Sequence, residues 1–127
     1  MKTLTASWVR KAEDDLRGAQ FLVRGQPSLP HIVCFHCQQS AKEYLKALLQ
    51  EWELEPLETD ELPELLSHLL HRDNNFRRLS RRINSLTRYT EDILYPGGRA
   101  SKRQALAAVR HAEDVRREIR DRLGLIR

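Results

Sequence analysis

The stretch HIVCFHCQQSAKEYLKALLQEWEL, residues 31–54, runs without a glycine or a proline. Its small or apolar residues Val33, Cys34, Cys37, Ala41, Leu45, Leu48, Leu49 and Trp52 fall on more than one side of a 3.6-residue repeat. A surface helix confines such residues to one stripe. The pattern therefore predicts a central helix covered by several neighbours, the spine of the core.

Upstream, Val9, Ala12, Leu16, Ala19 and Val23 follow a 3-4-3-4 spacing, one stripe of a first helix that Thr5 or Ser7 can cap. It should stop near Arg24, because Gly25, Gln26, Pro27, Ser28, Leu29 and Pro30 combine a permissive residue with two ring-locked ones. Downstream, the acidic stretch around Pro56 reads as a loop, and Leu62 to His71 as a short helix with Pro63 in its first turn. After Asp73 and Asn74, the stripe Phe76, Leu79, Ile83, Leu86, Thr90 and Ile93 predicts a further helix, ended by Pro96-Gly97-Gly98. Ser101 can cap the last one, with Ala105, Ala108, Val109, Ala112, Val115, Ile119 and Leu123 as its apolar face. No segment alternates with period two. The fold class is all-α, an up-and-down helical bundle of four long helices plus one short helix.

At 127 residues the chain is the size of one domain, 1–127, which argues against a cleft between two lobes. Hydrophobic residues at 40% and charged ones at 31%, with 5 Gly and 5 Pro, exclude collagen-like and low-complexity classes. No apolar run approaches the ~18 residues that span a bilayer, and MKTLTASWVRKAEDDL turns charged before a signal-peptide core forms. Two cysteines three residues apart cannot staple such a domain, which fits a reducing, cytoplasmic location.

The net charge of +4 is unevenly placed. Residues 1–60 carry 7 Lys/Arg against 9 Asp/Glu, and residues 61–127 carry 15 against 9. Glu51, Glu53, Glu55, Glu58, Asp60, Glu61 and Glu64 form an acidic run, whereas Arg77, Arg78, Arg81, Arg82 and Arg88 share a stretch with no acid to neutralise it. With Ile83 at 0° on a helical wheel, Arg77, Arg81 and Arg88 fall at about 120–160°, opposite the apolar stripe. Arginine's planar fork suits phosphate, so these three are candidate phosphate or nucleotide-binding residues. A solvated basic face, or one meeting the acids of a partner, is the plainer alternative.

Other motifs carry less. Cys34 and Cys37 have C-x-x-C spacing and His31 adds a soft ligand, but His31 and Cys37 stand ~9 Å apart along a helix axis and no second Cys pair completes a zinc site. Buried thiols are the better reading. His68 and His71 lack a third ligand and the Glu of the zincin spacing. No metal or cofactor is expected, and no hydrolase or transferase motif is visible.

Trp8-x3-Ala12-x2-Asp15-Leu16-x2-Ala19, followed by CFHCQQSAKEYLKAL at 34–48, resembles the first two helices of HEPN domains, the "higher eukaryotes and prokaryotes nucleotide-binding" family. The carrying pattern is F-x-x-Q-Q-x-A-x-x-x-L-K-A-L, and Tyr95-Pro96 resembles the family's Tyr-Pro dipeptide. The chain departs from the family where its Glu-Lys pair reads Lys42-Glu43, its Thr-His-Asp-Leu reads Thr59-Asp60-Glu61-Leu62, and the Arg before Tyr-Pro is Leu94. The resemblance implies a bundle that forms a homodimer, and the apolar residues on more than one side of the spine helix, too many for one thin bundle to cover, point the same way. It also implies a partner of the minimal nucleotidyltransferase kind found beside such domains in toxin–antitoxin modules, and affinity for nucleotide or RNA. Many HEPN proteins are metal-independent ribonucleases through Arg-x4–6-His. Only Arg24-x6-His31 fits here, a spacing chance supplies in an arginine-rich chain, so a non-catalytic binding protein is expected and a ribonuclease toxin is the alternative.

Overall fold

The computed structural model describes residues 1–25, 28–54, 58–93 and 95–126, without the side chains of Thr90 and Glu91. The helices are α1 (Thr3–Val23), α2 (Pro30–Glu51), α3 (Leu62–Arg72), α4 (Ser80–Ile93) and α5 (Lys102–Leu123), with a 3-10 segment, Asn74–Leu79, leading into α4. There is no strand among the described residues. The fold is the all-α bundle the apolar spacing predicts. Gln26 and Pro27 of the first turn, Pro56 of the acidic loop, the Thr90 side chain and Leu94 lie outside the described residues.

α2 is the spine. It packs against α1, α3, α4 and α5, and Val33, Cys34, Cys37, Ala41, Tyr44, Leu45, Leu48 and Leu49 are all buried. Four helices of the same chain thus cover its apolar sides, so the spread of apolar residues needs no second copy to explain it. Antiparallel pairing with α1 is fixed by polar contacts: Ser40 Oγ donates to the Ala12 carbonyl at 2.8 Å, and Tyr44 Oη donates to Glu13 Oε1 at 2.6 Å. Glu13 also accepts from Arg116 Nε at 2.9 Å and Arg120 Nη1 at 2.8 Å, so one carboxylate joins α1, α2 and α5.

The expected caps hold at one end of the chain only. Ser101 and Gln104 close a reciprocal capping box on α5, with Ser101 Oγ accepting from Gln104 N at 3.0 Å and Gln104 Oε1 accepting from Ser101 N at 2.8 Å. Neither Thr5 nor Ser7 caps α1, which starts earlier, at Thr3. Glu51 Oε1 accepts from the Lys2 backbone N–H at 3.0 Å, and the Lys2 carbonyl accepts from Ala6 N. That tertiary anchor orders a first turn which side-chain capping alone does not explain.

The helix expected from Phe76 is α-helical only from Ser80. Asp73 is the cause: its side chain accepts from Asn75 N at 2.9 Å and its carbonyl from Phe76 N at 3.2 Å, an i to i+3 bond that starts a tighter winding. Three residues per turn place Phe76 and Leu79 on one side, and both are buried. At the other end of α4, Gly98 presses against the last turn. A Cβ there would stand 2.3 Å from the Asp92 carbonyl oxygen, and Gly97 takes φ +91°, so the Pro-Gly-Gly stop needs both glycines.

Candidate functional site

The five arginines between Arg77 and Arg88 divide into two sets. Arg78 Nη2 meets Glu118 Oε1 at 3.2 Å and Arg82 Nε meets Asp114 Oδ2 at 2.9 Å, both acids on α5. α4 and α5 run antiparallel, so two arginines four residues apart face two acids four residues apart. Arg77, Arg81 and Arg88 are exposed and form no ion pair among the described residues. The 3-10 segment and α4 therefore zip one flank to α5 and present their remaining arginines outward.

The three candidates do not form one straight row. Arg77 lies in the 3-10 segment, whose tighter winding turns it by roughly 60° relative to a continuous α-helix. Arg88 sits two turns beyond Arg81 on α4. Arg81 lines a cleft of about 320 Å³ between α4 and α5, together with Arg82, Arg110, His111, Glu113, Asp114 and Arg117. A second hollow of about 490 Å³ continues along the groove and shares Arg82, Asp114 and Arg117.

Asp114 organises this groove. It accepts from Arg82 and, at 2.8 Å, from Arg117 Nη1. Burial would raise its carboxyl, but hydrogen bonds from these two arginines outweigh that and hold it below the ordinary value. His111, half-buried, is also held below the ordinary imidazole value. Burial depresses it most, Arg82, Arg110 and Arg81 add repulsion, and Asp114 opposes them. Sequence reasoning placed Arg82 in the basic run without singling it out, and missed Arg110, His111 and Arg117. The usable signal was the matched four-residue spacing of Arg78/Arg82 and Asp114/Glu118 on consecutive helices.

The remaining motifs are kept apart. Cys34 and Cys37 are free and buried, and burial pushes the Cys34 thiol up to about 11 and Cys37 further, which disfavours the reactive thiolate. His31 is exposed in the first turn of α2, and Arg24 follows α1 at its C-terminal end. The His68 and His71 rings stack with centroids 6.5 Å apart. Among the described residues no group of three or more His, Cys, Asp or Glu is placed to hold a metal ion, and no helix is long and apolar enough to cross a membrane. Of the acidic run, Glu51 and Glu53 engage Lys2, and Asp60 accepts from Lys46 Nζ at 2.6 Å.

The described residues thus form an all-α helical bundle with a cationic outer helix beside a basic groove. Residues 5–122 match the family model of the HEPN domain, and the chain belongs to that family. No curated protein and no solved structure matches it.

Proposed function

We propose that this HEPN chain is a non-catalytic, dimeric binding protein that takes nucleotide or RNA phosphates on Arg77, Arg81 and Arg88, and works beside a minimal nucleotidyltransferase in a toxin–antitoxin pair. The observation that carries the phosphate part is the division of the arginines. Where α4 needs its cations for folding, α5 supplies Asp114 and Glu118, while the outward three receive no acid among the described residues. Unpaired guanidinium forks on rigid helical backbone suit planar, bidentate recognition of phosphate. The dimer and the partner rest on family membership alone.

The ribonuclease alternative requires Arg24 and His31 to converge. One follows the end of α1 and the other opens α2, both exposed, with no hydrogen bond to each other or to a common partner among the described residues. Labelled single-stranded RNA at about 50 mM salt, where the screening length still exceeds 10 Å, should bind the wild type intact and bind R77Q/R81Q/R88Q weakly. No binding to the wild type overturns the reading. RNA degradation without metal that is lost in His31→Ala gives the function to the ribonuclease alternative.

A further inference from the structure

The geometry points to a second site: the cleft between α4 and α5 binds a terminal phosphate or diphosphate group, with His111 touching the ligand between Arg81 and Arg110. It rests on the phosphate reading above, but apart from Arg81 it uses different residues and asks for a different ligand. The outer arginines suit a chain of monoanionic diesters lying on a surface. This cleft is concave, and its volume of about 320 Å³ falls at the small end of ligand pockets.

Part of its lining is prearranged. Asp114 spends both carboxylate oxygens on Arg82 Nε at 2.9 Å and Arg117 Nη1 at 2.8 Å, and Arg82 Nη1 also reaches the Arg78 carbonyl at 3.3 Å. Both guanidiniums are held in place with N–H groups to spare. Arg81 from α4 and Arg110 from α5 make no ion pair among the described residues. Glu113, the other acid of the lining, is engaged by Gln20 Nε2 of α1 at 2.9 Å. Four arginines against two acids leave the cleft at +2 with His111 neutral. A dianion answers that charge, and a phosphate monoester supplies one because its second ionisation lies near pH 6.

His111 makes the site respond to pH. The charged groups facing it are Arg81 and Arg82 from α4 and Arg110 and Asp114 from its own helix. Burial and the three arginines lower the proton affinity of its ring, and a bound dianion works against them and favours the imidazolium. Binding and protonation then reinforce each other by the same factor in both directions.

The test is an NMR titration of the histidine ring protons with pyrophosphate, against sodium chloride at equal ionic strength. Pyrophosphate should raise the His111 midpoint by about one unit, equivalent to about tenfold tighter binding to the protonated protein, while exposed His31 and His71 move far less. Arg110→Gln should abolish the shift. His111→Asn, which keeps a polar side chain, should retain binding and keep only the pH dependence that the phosphate's own ionisation near pH 6 supplies. ADP should act as pyrophosphate does, whereas RNA lacking terminal phosphates should leave His111 unmoved. A His111 midpoint identical in pyrophosphate and chloride overturns the site, as does a shift that survives Arg110→Gln. RNA binding without a pyrophosphate effect removes this cleft and leaves the outer face standing; a pyrophosphate effect without RNA binding does the reverse.

Discussion

Replacing Glu43 by glutamine should flatten the dependence of stability on pH between 5 and 7. Glu43 lies on α2 facing α1, is 2% exposed, and leaves Oε1 without a hydrogen-bond partner. Burial first, then a hydrogen bond and repulsion from the Asp15 carboxylate, push its carboxyl from the ordinary 4.5 up to about 8, against the pull of Lys42 and Lys11. The folded protein thus holds a proton that the unfolded chain releases. Where the native state binds more protons, stability falls as pH rises. The effect is absent below about pH 4.5, grows through the window, and levels off above about pH 8. At about 1.4 kcal/mol per pH unit, the loss between pH 5 and 7 is about 2–3 kcal/mol. That is a large share of a typical stability of about 5–15 kcal/mol. Urea unfolding of wild type and Glu43→Gln at half-unit steps measures it. The variant gains on the wild type as pH rises, because its amide stays neutral in both states. Parallel curves for the two proteins would refute the raised proton affinity of Glu43 in the folded protein.

Glu13→Ala leaves the Tyr44 hydroxyl and the Arg116 and Arg120 guanidiniums without their common acceptor. It should cost about 2–3 kcal/mol in urea unfolding, less than a fully buried pair because the side chains are partly wetted. Gly98→Ala drives a methyl group into the Asp92 carbonyl and should cost about 1–3 kcal/mol, lowering Tm by several degrees; an unchanged Tm would contradict the close approach of the loop to α4. Sedimentation equilibrium at micromolar concentration should give a dimer, and a monomer alone refutes that part of the proposal.

The helices were legible wherever the core imposes a period. Val9, Ala12, Leu16, Ala19 and Val23 are all buried, as is the Ala105 to Ile119 face of α5, because burial repeats with the backbone turn itself. Local rules failed where a tertiary contact outweighed them: Glu51 anchors the start of α1 from another helix, and Asp73 converts the first turns after Asn74 to a 3-10 winding. The arginine surface was half legible. Opposition to the apolar stripe placed Arg81 and Arg88 outward, but seeking neutralising acids within the same stretch hid Asp114 and Glu118, which reach Arg82 and Arg78 across the helix pair. His111 and Arg110 escaped because a groove between two helices belongs to neither sequence segment alone.

The salt dependence of RNA binding tests the central claim most directly. For the wild type, log K should fall linearly with log salt, since each neutralised phosphate on a single strand releases counterion with a slope of about 0.7. R77Q/R81Q/R88Q removes three such contacts, so its slope should be shallower by about 2, and the loss should be equal across RNA sequences because phosphate contacts do not read bases. A variant with the same slope and affinity as the wild type would contradict the assignment of phosphate binding to the outward arginines of the 3-10 segment and α4.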